Sequence, residues 1–324
     1  MALILTHLGE AVPHYLRDCV EQARLWNPSF PIYLILDPIH RSNPFFTNLD
    51  LILVFTDELT MTPYHRDFLN NYNGDINFRK GYWRFVKERF YFVEELMKKY
   101  SIKKAFSMEY DVLIYYDLNT LLQKLNALPP SFRFVKDNQI KGHPAFVYIP
   151  SIEHISHFNC YMTLTVKLPL TDMEIMAEYS NHYKSFVSYF PVIPTDVNNK
   201  VKVRKSLDDN ISCDNCFFLS TDFDELNILF DSLVVGQFVG GIDSRNTNGV
   251  KITKYLNESA LYSMLELNLQ WTKNDEKWTP LLNGYPLVFI HCHSKALNNF
   301  RSDKKDFPND DYDVKDIFSK LQPN

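Results

Sequence analysis

Glycine is scarce here: nine residues in a chain of 324. No G-x-G-x-x-G follows the first apolar segment, and no G-x-x-x-x-G-K-[ST] occurs anywhere. The backbone cradles that hold dinucleotides and nucleoside triphosphates are therefore excluded, and any phosphate must be met by cations. Cysteine is also sparse. Cys19, Cys160, Cys213, Cys216 and Cys292 form an odd, scattered set, which fits a reducing cytoplasmic setting without a disulfide framework. The lone Cys213-x-x-Cys216 lacks the second pair that a zinc site needs, so it reads as free thiols in a polar loop. No stretch approaches the roughly 20 apolar residues that span a bilayer. The start, MALILTHLGEAVPHYL, has no basic leader and reads as a buried strand, not a signal peptide. Excess positive charge is missing too, and a net charge of −5 argues against a nucleic-acid binder.

What the chain does have is aromatic side chains, 15% of residues with 25 Phe and 19 Tyr, suited to a large core and to clefts for sugars. With 45% hydrophobic and 23% charged residues it is an ordinary globular chain, long enough for one large α/β domain or two smaller ones. Ala2 to His7, Ile32 to Leu36, Leu51 to Phe55 and Lys104 to Met108 are continuous apolar runs of buried-strand length. Between them, Val12, Leu16, Cys19, Val20, Ala23 and Trp26 recur at helical spacing until Asn27-Pro28 stops the helix. A longer helix places Trp83, Val86, Phe90, Val93 and Met97 on one face and Lys87, Glu88, Glu94 and Glu95 mostly off it. Lys98 and Lys99 suit the negative end of its dipole. Apolar strands alternating with helices predict a mainly parallel central sheet covered on both faces. Ligands bind such sheets at the carboxyl ends of the strands, where His7-Leu8-Gly9, Asp37 and Glu109 to Asp111 fall.

The sharpest feature is Glu109-Tyr110-Asp111, two carboxylates one residue apart where one apolar run ends and another begins. At a strand end both would point the same way, and buried carboxylates need a cation or donors to neutralise them. Two hard oxygen ligands aimed at one point suit Mn²⁺ or Mg²⁺; the alternative is an acidic surface turn. Arg79-Lys80-Gly81-Tyr82-Trp83-Arg84 gathers cations and rings at a helix start, either to hold phosphate or a base, or as ordinary solvated charge. Val239 to Asn246, with its Gly-Gly pair, reads as a lid or acceptor loop or as a tight turn. The polar run from Asp196 to Asp214 reads as a mobile excursion.

A first strand running into Thr6-His7-Leu8-Gly9, a basic R-K-G-Y-W helix start and the E-Y-D strand end together resemble the GT-A glycosyltransferases. The resemblance covers residues 1 to 120 and 285 to 300. It implies a GT-A (Rossmann-like) mainly parallel sheet flanked by helices, with a nucleotide-sugar half over 1–125, an acceptor half of the same domain over 126–300, and a solvated tail over 301–324. Glu109-Tyr110-Asp111 matches the family's D-x-D with Glu in first place, which puts Asp111 in the usual metal-binding position. The family's late histidine implies that His291 or His293 completes the metal shell, with Lys295 close behind for the diphosphate. Its acceptor-side acidic residue implies Asp172 or Glu174 as general base, although Thr171 and Glu174 also form a capping-box pattern. Thr6, His7, Leu8, Gly9, Arg79, Lys80 and Tyr110 are implied for the donor, and Gly142-His143-Pro144 for backing the sugar.

The implied function is transfer of a sugar from a nucleotide-sugar donor, most commonly a UDP-sugar in the family, to a carbohydrate or other hydroxyl acceptor, with Mn²⁺ or Mg²⁺ as cofactor. Two competing expectations are a nucleotidyltransferase or sugar-nucleotide hydrolase on a similar sheet, and a non-catalytic carbohydrate- or nucleotide-binding module.

Overall fold

The computed structural model describes residues 1–198, 216–252, 255–257 and 259–304. The amino-terminal part runs β1 (Ala2–His7), α1 (Tyr15–Trp26), β2 (Ile32–Leu36), β3 (Ile52–Phe55), α2 (Pro63–Asn71), α3 (Tyr82–Lys99), β4 (Ala105–Met108), β5 (Val112–Ile114) and α4 (Leu118–Asn126). There follow β6 (Phe132–Lys136), β7 (Gly142–Ile149), α5 (Ile152–Leu164), α6 (Asp172–His182), β8 (Val187–Tyr189) and α7 (Thr195–Asn198). The last part contains α8 (Phe223–Leu226), α9 (Val234–Gly240), β9 (Leu269–Asn274), β10 (Lys277–Leu282), β11 (Tyr285–Pro286) and β12 (Phe289–His291).

Seven strands form the central sheet in the order β3-β2-β1-β4-β7-β6-β8. The pairs β3/β2, β2/β1, β1/β4 and β6/β8 are parallel, and β7 runs against both β4 and β6. The mainly parallel α/β architecture expected from the apolar runs is thus what forms. Alternation along β1 explains the two layers: Leu3 and Leu5 face one core, Ala2 and Ile4 the other, all fully buried. Leu16, Cys19 and Val20 of α1, with Leu118 and Leu121 of α4, fill the first core. Phe68 of α2, Phe90 and Val93 of α3, Phe158 of α5 and Ile175 of α6 fill the second. Each such side chain contributes about 1.5–3 kcal/mol through burial, which is why tracts this apolar hold a covered sheet. Two small sheets complete the fold, the antiparallel pair β12/β5 and the meander β11-β10-β9.

Three expectations need correction. Lys87, Glu88, Glu94 and Glu95, expected mostly off the apolar face of α3, are nonetheless all buried, because α2 and α5 pack over the helix and supply the three glutamates with partners. His65 of α2 meets Glu95 through Nδ1 at 2.9 Å and Glu88 through Nε2 at 3.2 Å, and the Asn159 amide donates to Glu94 at 2.7 Å. Second, the tail does not begin solvated at residue 301. The Arg301 guanidinium pairs with Asp18 and Glu21, and buried Ser302 donates its N–H to Gln22 at 2.9 Å, so this segment is docked on α1. Third, Cys216 is disulfide-bonded while Cys19, Cys160 and Cys292 are free; spacing in a lone C-x-x-C does not reveal oxidation state. Cys213, and all of the expected polar excursion from Asp196 to Asp214 beyond residue 198, lie outside the described residues. Among the described residues no helix is long and apolar enough to cross a membrane.

Burial disfavours charge on His65, but the hydrogen bonds to Glu88 and Glu95 outweigh it and hold the imidazole pKa up at about 9. Its stabilising contribution is therefore complete below the unfolded histidine's value near 6.5 and is lost as pH rises through about 9. Urea unfolding at pH 6 and pH 9.5 should show roughly 2–3 kcal/mol of this loss. A His65→Gln variant should lack that pH slope; an unchanged slope would show that the imidazole is neutral throughout.

Candidate active site

The site is assembled by one antiparallel pairing. β5 and β12 align Val112 with His291 and Ile114 with Phe289, and the Cys292 N–H donates to the Asp111 carbonyl at 2.8 Å. Glu109 and Asp111 lie in the turn between β4 and β5, just past the strand where their spacing puts them. The Glu109 N–H is held by the Ala145 carbonyl of β7 at 2.9 Å. With both sides fixed by backbone, one oxygen each of Glu109 and Asp111 and a nitrogen of His291 lie within 4.8 Å of one another. His291 Nε2 stands 3.2 Å from Asp111 Oδ2 and 3.7 Å from Glu109 Oε2.

This group fits a divalent ion. It offers two hard oxygens and an imidazole nitrogen, a set that suits Mn²⁺. Lys295 Nζ is hydrogen-bonded to Asp111 Oδ2 and brings a neutralising charge to it. Burial alone would raise the Asp111 carboxyl, but Lys295 and His291 together hold it well below the usual range. His291 is likewise desolvated, and Asp111 and Glu109 outweigh that effect to raise it. Among the described residues the His291 Nδ1 is buried without a partner, so this ring is fixed through its backbone instead. The buried Asp231 carboxylate accepts the N–H groups of His291 (2.9 Å), Gly236 (3.0 Å) and Val235 (2.9 Å), tying the ligand strand to the start of α9. Gly236 is required there, since a Cβ would stand 1.9 Å from the His291 carbonyl oxygen.

A cleft of about 280 Å³ opens over this group. Its far wall is the face of α3 carrying Tyr82, Phe85, Val86 and Arg89. Arg89 bridges the two acidic sides, donating from Nη1 to Glu109 at 2.5 Å and from Nη2 to Asp172 at 3.2 Å. Burial pushes the Asp172 carboxyl up to about 6 despite Arg89. At the rim Arg245 grips the Asp243 carboxylate through Nε and Nη2, the shortest contact being 2.6 Å. Arg79 reaches across to Asn246 Oδ1 at 3.1 Å.

Of the residues expected from sequence, Thr6, Leu8, Arg79, Glu109, Tyr110, Asp111, Asp172, His291, His293 and Lys295 line this cleft, as do His143 and Pro144. His293 does so with its Nδ1 accepting the Asp243 N–H at 3.1 Å, and burial next to His291 and Lys295 lowers it to about 4. The metal group contains His291 and not His293. His7 sits beneath the cleft floor, its ring 5.3 Å from that of Tyr110 and both nitrogens unpartnered among the described residues, and burial lowers it to about 4. The Gly9 N–H donates to Asp37 Oδ2 at 2.6 Å, and Lys80 points outward to Glu10. Glu174 is engaged in the capping box, its carboxylate accepting from the Thr171 N–H at 2.7 Å, and it is not part of the lining. Sequence reading missed Arg89, Asp231 and Gly236. Arg89 was legible in principle, as the lone cation on the Tyr82-Phe85-Val86-Arg89 stripe at i, i+3, i+4, i+7; nothing local marks the other two.

Fold and site together define an α/β protein with an acidic, metal-competent cleft at the carboxyl ends of a mainly parallel sheet. Solved glycosyltransferases follow a similar course. Mouse xyloside xylosyltransferase 1 in its apo form is 8% identical, over 61% of this chain and 89% of that one, with a TM-score of 0.42. The galactosyltransferase LgtC, in complex with donor and acceptor sugar analogs, is 15% identical over 61% of this chain and 77% of that one, with a TM-score of 0.41. The PaToxG glycosyltransferase is 9% identical over 56% and 68%, with a TM-score of 0.40. No protein-family model and no curated protein matches the chain.

Asp231→Asn removes one of the acceptor oxygens that fix the His291 backbone, and Gly236→Ala pushes a methyl group into its carbonyl. Both should weaken Mn²⁺ binding by about tenfold or more, the usual cost of losing an outer-shell support. Calorimetric titration of folded variants checks this; wild-type affinity in both would remove Asp231 and Gly236 from the site.

Proposed function

We propose that this protein is a divalent-metal-dependent glycosyltransferase that moves a sugar from a nucleotide-sugar donor, a UDP-sugar, to a hydroxyl of a carbohydrate or similar acceptor. The observation that carries the reading is the convergence of Glu109, Asp111 and His291 beneath a cleft whose walls bring Lys295, Arg79 and Arg245 to the same space. Glu109, Asp111 and His291 would hold the ion, which when bound neutralises charge on the departing diphosphate. Lys295, already beside Asp111, would donate to that diphosphate. Thr6 and Leu8 at the end of β1, with Tyr110, line the cleft and would form the floor for the nucleoside.

Asp172 is the proposed base if configuration inverts. It lines the cleft across Arg89 from the metal group, and with its carboxyl raised to about 6 it is ionised at neutral pH yet more basic than a solvated aspartate. Glu174, occupied as a cap, serves the position of α6.

The reading is tested by incubating the protein with labelled UDP-sugars and an acceptor panel, with and without Mn²⁺. Product should form only with metal, and the sugar should be the group joined to acceptor. Joining of the nucleotide, or release to water alone, would identify a nucleotidyltransferase or a hydrolase instead. Asp111→Asn should lower turnover by about 10²-fold or more, and near-normal activity in the folded variant would sink the metal assignment. Asp172→Asn keeps the size of the side chain but cannot accept a proton. An inverting enzyme should lose about 10²-fold or more in kcat, together with the fall in rate below about pH 6 that protonation of Asp172 produces.

A further inference from the structure

Consecutive residues of α3 face two different hollows. Tyr82 and Val86 line the cleft already described, while Trp83 and Lys87 line a second cavity of about 350 Å³ between the α2–α3 connection and the α5–α6 connection. The two share a wall, since Thr171 borders the second cavity and the adjoining Asp172 the first. We propose that this second cavity binds an anionic sugar unit, its ring against Trp83 and Tyr72 and its carboxylate on Lys87.

The lysine is the strongest argument. Lys87 is 6% exposed and lines the cavity, and among the described residues its ammonium has no hydrogen bond and no ion pair. Its Nζ stands 5.9 Å from the centre of the Tyr72 ring. A buried ammonium without a counter-ion is costly. Burial accordingly lowers its pKa, and Asp172 and Glu174 offset this only through space, because their carboxylates are committed to Arg89 and to the capping box. Asp75 is the one carboxylate in the lining, and its Oδ1 accepts the Asn77 N–H at 2.8 Å. A ligand carboxylate would complete what the protein leaves open.

The aromatic surfaces supply the rest. Phe78 stacks on Trp83, centroids 5.7 Å apart and planes within 20°, so the indole is held in place where it borders the cavity. Tyr72 folds back over Gly74, where a Cβ would lie 2.4 Å from the tyrosine hydroxyl. Rings with one polar handle beside apolar Leu168 and Leu170 suit the mixed faces of a pyranose. A free anion would use the lysine but not the rings. That this unit belongs to an acceptor glycan, extending from the cavity over the Thr171–Asp172 wall, rests on the sugar-transfer reading; binding itself does not.

Binding is therefore measured without donor or metal, by calorimetric or saturation-transfer NMR titration with methyl β-glucuronide, methyl β-glucoside and acetate. The wild-type protein should prefer the glucuronide to the glucoside by about tenfold, the usual gain from a buried charge-assisted hydrogen bond, and acetate should compete more weakly than the glucuronide. Lys87→Met should erase the preference, and Trp83→Leu should weaken both glycosides in a protein that still folds. Equal affinities in the wild type, an unchanged preference in Lys87→Met, or acetate competing as strongly as the glucuronide would each overturn the proposal. Glucuronide binding by a protein that transfers no sugar would overturn the transferase reading and leave this one standing. Metal-dependent transfer without any glucuronide preference would do the reverse.

Discussion

Everything in the cleft hangs on a short antiparallel pairing between strands almost 180 residues apart in sequence. β5 supplies the turn that carries Glu109 and Asp111, and β12 ends in His291. Neither strand belongs to the central sheet. Their mutual hydrogen bonds, with the Cys292 N–H on the Asp111 carbonyl, convert two separate strand ends into one cluster of ligands. Side-chain electrostatics alone could not do this. Two carboxylates repel each other and are desolvated at this depth, and Lys295 and His291 offset that repulsion only because backbone bonding has already brought them there. The buried Asp231 extends the same logic by one layer, its carboxylate accepting from three main-chain N–H groups.

The central sheet was legible because its signal is local and redundant. Ala2 to His7 or Ile32 to Leu36 is apolar at almost every position, and few structures other than a doubly covered strand can absorb such a run. The acidic pair and the late histidine were legible for a related reason: each interrupts or ends such a run, where burial makes charge conspicuous. The buried charges of α3 were not. Glu88, Glu94 and Glu95 look like a solvated helix face until His65 and Asn159 arrive from α2 and α5, elements whose positions no local pattern gives. Asp231 and Gly236 escaped for the same reason, since their task is defined by a main-chain group some sixty residues away.

Arg89 illustrates how a single side chain ties the two halves of the cleft together. Its guanidinium is largely enclosed and divides its donors between Glu109, on the metal side, and Asp172, at the start of α6. The charges on both carboxylates outweigh its desolvation and keep it firmly cationic. It accordingly acts as a spacer as much as a counter-ion. It keeps the two acids apart, which lets one join a ligand cluster while the other lines the opposite wall with an elevated affinity for protons.

The close approach of Gly236 to the His291 carbonyl has an evolutionary consequence. Side chains that touch a ligand can be exchanged as specificity drifts, because chemistry has several ways to make the same contact. A contact between two stretches of main chain has no such synonyms: any residue but glycine at 236 must move the strand that carries the histidine. Among distant descendants of this chain, the spacing of Asp231 to Gly236 should therefore outlast the identity of the residues lining the cleft.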